Sequence, residues 1–284
     1  MCAAALTLGF CSGPLGDWHM RRIEEPLFRP VPPESRQLLI GLFRQAWRRA
    51  DSGIDVRSWQ DFGFDAAIQD TGFGRTLLLA ERSDRVEGKG RYLLRAGTHA
   101  GVLLEAPHST DDLFTGDIVQ QLFLRHSFAG AGFNSLSRWS VDQNADFGDL
   151  ARRADSALIA FGAAFMSEHP GGTVVQIHGF DSEKRGEASF AEADIVVSEG
   201  TPAPSPQTLA YRHCLDRLLP GRVLLYPDET RELGATRNAT GRIVREAGGR
   251  FLHLELSLSL RGQMRSDPVL SGRFADCLLG SVPS

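Results

Sequence analysis

Three apolar segments of the sequence carry, at or near their ends, side chains that can bind a divalent metal or move a proton. His108 follows "VLLEAP", His178 follows "TVVQI", and Glu255 lies inside "FLHLELS". Alternation along that last segment places His253, Glu255 and Ser257 on one side of a strand and three leucines on the other. Because buried strands rarely carry a polar side, these residues are candidates for catalysis or metal binding.

Zinc-dependent hydrolysis is a chemistry that uses these residue types. A catalytic zinc ion takes about three protein ligands from histidine and carboxylate, and leaves one position open for water. A further carboxylate removes a proton from that water and later delivers it to the leaving amine. We therefore predict Zn²⁺ bound by His108, His178 and one aspartate, with Glu255 as the general base. A lone histidine at a strand end is more often only hydrogen-bonded, but two of them with a carboxylate on a third strand favour the metal hypothesis.

The sequence leaves the third ligand open among three aspartates that follow His108. Asp111 gives the spacing H-x-x-D, and Asp112 falls near the start of the next predicted helix. Asp117 lies in the first turn of that helix if the helix begins near Thr115, where the helix dipole favours a carboxylate. We rank Asp117 and Asp112 nearly level as ligands, and Asp111 third.

Apolar strands that alternate with helices must position these residues. A helix is predicted over 35–50, with Ser35 as its N-cap, and a hairpin of two short strands at 75–83 and 90–97. From residue 101 onward the pattern predicts strands at 101–107, 133–141, 172–180, 193–200, 221–227 and 250–260, and helices at 112–128, 147–169, 205–219, 238–248 and 271–280.

This alternation predicts an α/β fold with a doubly wound, mostly parallel sheet and helices on both faces. We divide the chain into an irregular N-terminal arm over residues 1–34, rich in proline and glycine, and a single α/β domain over 35–284. In open α/β sheets, ligands bind beyond the carboxyl ends of the strands. The residues that end strands are therefore where the chemistry is expected.

Composition excludes several function classes. The 284 residues include 31 basic and 35 acidic side chains, for a net charge of −4, without the basic block that binds a nucleic-acid backbone. No run approaches the ~20 apolar residues of a membrane span. The four cysteines form no CxxC pair, so we expect free thiols. The first residues of the sequence match a secretion signal only poorly. This slightly favours a cytoplasmic location and leaves a secreted or periplasmic one open.

The segments "EAPHSTDDLFTGDI", "VVQIHGF" and "FLHLELSLSLR" resemble the successive His-bearing, His-bearing and Glu-bearing strands of one group of zinc-dependent hydrolases. These hydrolases share the phosphorylase/hydrolase-like fold, a three-layer sandwich, and include N-formylglutamate amidohydrolases, N-acetylmuramoyl-L-alanine amidases and zinc carboxypeptidases. The resemblance implies zinc at His108 and His178 and acid and base work for Glu255. The amidases favour Asp117 as the remaining ligand, and the carboxypeptidases favour Asp111.

Arg237, Asn238 and Arg261 are candidates for holding a substrate carboxylate, because an arginine fork pairs with a carboxylate through two hydrogen bonds. Asn238 is also expected to begin a helix. The first hypothesis is a zinc-dependent amidohydrolase or peptidase acting on a carboxylate-bearing small molecule or peptide: an N-acyl amino acid, a γ-glutamyl peptide or a peptidoglycan-type peptide. The alternative is a non-catalytic binding module that retains the fold, because only aspartates closely follow His108.

Overall fold

A nine-stranded mixed sheet forms the centre of the computed structural model, which describes residues 28–49, 55–139 and 149–280. The strands are β1 (Phe64–Thr71), β2 (Gly74–Glu81), β3 (Arg91–Arg95), β4 (Ala100–Ala106), β5 (Phe128–Phe133), β6 (Thr173–Phe180), β7 (Ile195–Ser198), β8 (Val223–Leu225) and β9 (Arg250–Ser257). The helices are α1 (Pro33–Arg49), α2 (Val56–Asp61), α3 (Thr115–Arg125), α4 (Ala157–Glu168), α5 (Pro206–Leu218), α6 (Ala239–Glu246), α7 (Leu258–Ser266) and α8 (Pro268–Leu279). The predicted α/β fold is confirmed.

Parallel pairing is confined to two parts of the sheet, whose strand order is β1-β2-β3-β5-β4-β6-β9-β7-β8. Strands β5, β4, β6 and β9 run parallel to one another at the centre. Strands β7 and β8 are parallel to each other but antiparallel to β9, and β1, β2 and β3 are joined antiparallel at the other edge. The prediction of parallel strands therefore holds for the centre, and the edges make the whole sheet mixed. The predicted hairpin corresponds to β2 and β3.

Two apolar clusters cover the two faces of the central strands. On one face, α3, α5, α7 and α8 pack onto a cluster that includes Leu104 and Leu254. On the other face, α1, α4 and α6 pack onto a cluster that includes Leu103 and Phe251. We name these the α3 face and the α1 face. Helices on both faces are what a doubly wound sheet requires.

The α1 face changes character toward the carboxyl ends of its strands. Its last positions on β4, β6 and β9 carry buried polar side chains, of which Glu105, Gln176, His178, His253 and Glu255 lie together. We call this group the polar end of the α1 face. Burying such groups costs free energy unless they are paired. Stability therefore does not explain why they lie together, and the group is a candidate for a functional site.

The strand predicted at 133–141 is wrong, because the chain forms β5 earlier, mostly in the short segment between the predicted helix over 112–128 and that predicted strand. The sequence of β5, FAGAGF, is poor in the β-branched residues that favour strands. All six residues are nevertheless buried. A Cβ on Gly130 would collide with Trp47 and with the carbonyl of Leu93. Close packing in the sheet, which local propensity does not report, selects this segment as a strand.

Two other predicted elements end or begin at a capping serine. The helix expected over 147–169 starts only after Ser156, whose Oγ accepts a hydrogen bond from the Ile159 amide at 3.3 Å. The strand expected over 250–260 stops at Ser257, which caps α7. In both places the side-chain cap decides the boundary that apolar periodicity left undefined.

A disulfide joins α5 to α8 through Cys214 and Cys277, whose Cα atoms are 5.6 Å apart. The expectation that these two cysteines are free thiols is wrong. They are separated by 63 residues, and spacing alone does not pair such distant cysteines. The other two cysteines lie outside the described residues.

The N-terminal arm predicted for residues 1–34 lies mostly outside the described residues, and its boundary stays a prediction. Helix α1 begins at Pro33, two residues before the expected Ser35. Phe28 and Val31, just before it, are buried, so this part of the chain packs against the domain. Among the helices in the described ranges, none is long and apolar enough to cross a membrane.

Candidate metal centre

His108 and Asp112 lie in the turn that follows β4. The amides of Asp111 and Asp112 both donate to the carbonyl of His108, at 2.9 and 2.8 Å, which folds the chain back on itself. Helix α3 begins at Thr115, three residues after the predicted start at 112, and its capping position is Phe114 in a left-handed conformation with φ of 73°. The turn therefore presents the side chains of His108 and Asp112 together at the carboxyl end of β4.

His178 and Glu255 are direct neighbours in the parallel pair of β6 and β9. The amide of Gly179 donates to Asp112 Oδ2 at 3.1 Å, which ties the turn after β4 to the strand that carries His178. The carboxyl ends of β4, β6 and β9 thus meet at one place, as expected for neighbouring strands of an open α/β sheet.

Three ligand atoms lie at the separations expected around a zinc ion. His108 Nδ1 is 3.1 Å from His178 Nδ1 and 3.4 Å from Asp112 Oδ2, and His178 Nδ1 is 3.6 Å from that oxygen. Ligands about 2.0–2.2 Å from a tetrahedral zinc ion stand roughly 3.4 Å apart. Two imidazoles and a carboxylate, almost withdrawn from solvent, are also a donor set that zinc accepts. The residues present therefore fit the metal.

Asp149 orients the first of the two histidines. His108 Nε2 donates to Asp149 Oδ1 at 2.8 Å, so the neutral ring has its acceptor lone pair on Nδ1. Burial would raise the pKa of Asp149, but the hydrogen bond from His108 outweighs it and lowers that pKa. A carboxylate behind a histidine ligand is a common support of metal sites. Sequence analysis missed Asp149 because 41 residues separate it from His108.

Burial and pairing set the charges of the centre. Burial would raise the pKa of Asp112, but the two neighbouring histidines outweigh it and hold that pKa well below its usual range. Burial lowers the pKa of His178 and keeps the ring neutral. Burial also lowers the pKa of His108, but Asp112 and Asp149 overcome this and raise it. An ionised carboxylate beside two imidazoles attracts a cation.

Glu255 is a buried carboxyl beside this group. Its Oε1 is 3.6 Å from His253 Nε2, and ligand atoms of Glu255, His253 and His178 lie within 4.8 Å of one another. Burial, with the charge of Asp112 nearby, raises the pKa of Glu255 to about 8. A displaced pKa in a converging group of ionisable side chains is typical of a general acid or base.

Asp117, ranked level with Asp112 from the sequence, is placed elsewhere. Its Oδ2 lies 3.5 Å from Arg265 Nε on α7, and the group around the two histidines does not include it. The reason is geometric: the first turn of α3 directs Asp117 toward α7, whereas the turn before the helix directs Asp112 toward the histidines. The structure therefore corrects the ranking in favour of Asp112.

Arg138 is a cation at the centre that the sequence analysis missed. Its Nη2 donates to His108 Nδ1 and lies 3.3 Å from Asp112 Oδ1. Asp111, the third candidate ligand, holds this arginine in place by accepting hydrogen bonds from the Ser137 hydroxyl and, at 2.9 Å, from the Arg138 amide. Asp111 thus supports the loop that carries Arg138 and does not face the histidines.

Arg261, a predicted substrate-binding residue, is held by the main chain of the protein itself. The side chain is buried, and its guanidinium donates to the carbonyls of Leu256 and Phe180, each at 3.1 Å, and to that of Leu113. Three of its nitrogens thus donate to main-chain carbonyls, as a buried guanidinium must pair its donors within the fold. A structural role for Arg261 is therefore favoured, and its part in substrate binding stays a prediction.

Asn238 and Arg237, the other two predicted substrate-binding residues, differ from each other. Asn238 begins α6, as expected, and its buried side chain bonds to Gly241 and Gln176, so it is not open to a substrate. Arg237 is exposed, and no hydrogen bond or ion pair links it to another residue of the described ranges. Its role in substrate binding stays a prediction.

No family model matches the sequence, and no curated protein matches it. Similar folds occur among solved structures. N-formylglutamate amidohydrolase from Ralstonia eutropha is 11% identical with a TM-score of 0.43, over 69% of this chain and 100% of that one.

Two further solved structures are similar at comparable levels. A metallo-carboxypeptidase from Burkholderia cenocepacia is 15% identical with a TM-score of 0.38, over 89% of this chain and 69% of that one. A bacteriophage poly-γ-glutamate hydrolase is 9% identical with a TM-score of 0.40, over 84% of this chain and 93% of that one. These proteins are hydrolases of the kinds that the sequence resembles, and the likeness concerns the fold.

Proposed function

We propose that this protein is a zinc-dependent hydrolase that cleaves an amide bond in a carboxylate-bearing substrate. The observation that carries the proposal is the meeting of His108 Nδ1, Asp112 Oδ2 and His178 Nδ1 at 3.1–3.6 Å, with Glu255 beside them. Two imidazole nitrogens and a carboxylate oxygen at this range form a site that a bound positive charge stabilises. When bound there, zinc supplies polarisation of the amide carbonyl and a lowered pKa of water.

Glu255 is assigned the proton transfers. Its carboxylate takes a proton from the attacking water and returns it to the nitrogen of the leaving amine. The pKa of Glu255 is raised to about 8 by burial and by Asp112, and it falls when positive charge is bound at the three ligands. A pKa close to the working pH lets one group accept and then donate a proton.

Arg138 and Arg237 are assigned to the substrate carboxylate. Arg138 lies against the ligand atoms of His108 and Asp112, and Arg237 is exposed immediately before the buried Asn238. Guanidinium groups at these positions can pair with a carboxylate through two hydrogen bonds. The substrate class is an N-acyl amino acid, a γ-glutamyl peptide or a peptidoglycan-type peptide.

A non-catalytic binding module is the alternative, and the position of Arg138 favours it. The guanidinium already supplies positive charge to His108 Nδ1 and Asp112 Oδ1. Under this alternative the arginine replaces a metal, and the pocket binds a carboxylate ligand without hydrolysing it.

Metal content and hydrolysis by the purified protein test the proposal. The wild type is expected to bind one zinc ion per chain and to hydrolyse N-formylglutamate, a γ-glutamyl peptide or a peptide with a free carboxyl terminus. Glu255→Gln should keep zinc and lose at least ~10²-fold in rate. His178→Ala should lose both zinc binding and hydrolysis. His213→Ala, a change on the exposed side of α5, is the matched control and should alter neither.

Two results would contradict the proposal. One is a wild type without stoichiometric zinc after dialysis against zinc, and the other is zinc-loaded Glu255→Gln that hydrolyses as fast as wild type. Zinc binding that appears only in Arg138→Ala would support the binding-module alternative instead.

The disulfide between Cys214 and Cys277 bears on the compartment. Disulfides persist in oxidising compartments and are rare in the cytosol. We therefore propose a secreted or periplasmic location in place of the cytoplasmic one that the sequence slightly favoured. Thiol trapping in fractionated cells tests this, and alkylation of both cysteines without prior reduction would contradict it.

A further inference from the structure

His178 stands at the end of a chain of buried hydrogen bonds that begins at the first turn of α6. The chain runs from the amide of Gly241 through the side chains of Asn238 and Gln176 to the imidazole. All three side chains are buried, and that of Gln176 is inaccessible to solvent. Because water cannot stand in for a missing partner there, the direction of each hydrogen bond follows from its neighbour.

A backbone amide fixes the orientation of Asn238. The N–H of Gly241 can only donate, and it lies 2.8 Å from Asn238 Oδ1. The atom that faces it must therefore be the oxygen, and the other terminal atom must be Nδ2, which can only donate. The two ends of an amide are assigned from such contacts, and here the main chain of the helix decides between them.

Asn238 in turn fixes the orientation of Gln176. Asn238 Nδ2 donates at 2.6 Å to the near end of the Gln176 amide, which must be Oε1. The far end is then Nε2, and it donates to Glu105 Oε2 at 2.7 Å. Both ends of the Gln176 amide are therefore held, one by a donor and the other by an acceptor.

Gln176 fixes the position of the proton on His178. Its Oε1 can only accept, and it lies 3.3 Å from His178 Nε2, so Nε2 carries the hydrogen. A histidine that binds a metal is neutral and has one N–H. The free lone pair of His178 is therefore on Nδ1, the atom 3.6 Å from Asp112 Oδ2.

We propose that Asn238 is a positioning residue for the metal centre, because it sets the tautomer of His178 through Gln176 and leaves Nδ1 free to bind the metal. This inference rests on the proposed role of His178 as a ligand. The two histidines are then oriented by different means: His108 by the carboxylate of Asp149 directly, and His178 by two neutral amides that start from a helix terminus.

Asn238→Asp tests the chain without removing the helix cap. The new carboxylate still accepts from the Gly241 amide, but it offers Gln176 an acceptor where Asn238 offers a donor. The Gln176 amide is expected to turn over and donate to His178 Nε2, which moves the ring proton to Nδ1. Its oxygen then faces Glu105, whose buried carboxyl, with its pKa raised by burial, takes up a proton and donates to it. The matched control is Asp267→Asn, the reverse exchange at the residue that caps α8.

Two measurements read the result. Nitrogen-15 NMR of the metal-free protein at pH 8 reports which ring nitrogen of His178 carries the proton, with the signal assigned by its loss in His178→Ala. Competition with a chromogenic chelator reports zinc affinity. Wild type and Asp267→Asn should show the Nε2–H form and equal affinity. Asn238→Asp should show the Nδ1–H form and bind zinc about 10- to 100-fold more weakly, with an unfolding midpoint close to that of wild type.

Wild-type protein with the His178 proton on Nδ1 would overturn the proposal, whether or not the variant folds. Folded Asn238→Asp with an unchanged tautomer and unchanged zinc affinity would also overturn it. If the tautomers behave as expected and the wild type binds no zinc, the role of Asn238 in setting the tautomer stands and the proposed function fails.

Discussion

Leu254 and Glu255 are adjacent on β9, lie on opposite faces of the sheet, and have opposite effects on the fold. Leu254 is fully buried in the apolar cluster of the α3 face. Glu255 is buried at the polar end of the α1 face, where desolvation raises its pKa to about 8. Burying the leucine stabilises the fold, whereas burying an ionisable carboxyl costs free energy. One face of the strand therefore stabilises the fold, and the end of the other face holds the residues proposed to carry the chemistry.

The same division holds along the neighbouring strands. On β4, Leu104 belongs to the apolar cluster of the α3 face, and Glu105 belongs to the polar end of the α1 face. At this end, the buried His253 Nδ1 has no hydrogen-bond partner among the described residues, a cost of about 1–3 kcal/mol for such an atom. Proteins retain such unfavourable free-energy terms at functional sites. We therefore expect substitutions on the α3 face to change mainly stability, and substitutions at the polar end of the α1 face to change mainly binding or activity.

The largest contrast is expected from substituting the adjacent pair. Leu254→Ala should lower the free energy of unfolding by about 2–5 kcal/mol, because it leaves a cavity in the core, and should not change the zinc affinity of the folded protein. Glu255→Gln should leave stability near pH 7 equal or higher and reduce hydrolysis by at least ~10²-fold. Denaturant unfolding and rate assays on both variants make the comparison. Equal losses of stability in the two variants would contradict the different roles assigned to the two faces of β9.

The next contrast is between two aspartates only five positions apart. Asp112→Asn should weaken zinc binding at least ~10²-fold, because it removes the negative charge between the two histidines. Asp117→Asn should leave zinc affinity unchanged and lower stability by less than about 1 kcal/mol, since its ion pair with Arg265 is partly exposed. Chelator competition on both variants distinguishes them. A stronger effect from Asp117→Asn would restore the ranking made from the sequence.

The smallest effect is a dependence of stability on pH that arises from Glu105. Burial raises the pKa of this carboxyl to about 7 from its ordinary value of 4.5. Between these values the unfolded chain loses its proton while the folded chain keeps it, so stability falls as the pH rises from 4.5 to about 7. Glu105→Gln cannot ionise and keeps an acceptor for Gln176, so it should lack this decline of roughly 1 kcal/mol per pH unit.

Denaturant unfolding of metal-free wild type and Glu105→Gln across this range measures that difference. Identical pH profiles would mean that Glu105 is ionised in the folded protein, and the polar end of the α1 face would then be more solvated than the structure indicates.

The strand-end residues could be predicted because their signal is local. His108, His178 and Glu255 each stand out against apolar neighbours on a strand, and the rule for open α/β sheets places the ends of parallel strands together. Strand β5 could not be predicted in the same way. Gly130 on this strand is required by the close approach of Trp47 and the main chain of β3, a contact that only the folded chain contains.

The choice among side chains at the centre depended on contacts between distant parts of the sequence. Spacing could not separate Asp112 from Asp117, because the answer depends on the turn that precedes α3. Asp149 and Arg138 gave no local signal, since each meets His108 from a separate loop. Arg261 was predicted to bind the substrate because the residues around it in the sequence do not reveal the carbonyl groups to which its guanidinium donates.

The sequence by itself determined that this chain forms an α/β fold and that polar residues end its central strands, because alternation and helical periodicity are properties of adjacent residues. Only the tertiary structure decided which atoms meet. The contacts that define the centre join residues 41, 67 and 70 positions apart, and such contacts depend on strand order, register and turns. The proposed position of the His178 proton is the sharpest case, because it depends on a backbone amide of a different element, which acts through two side chains.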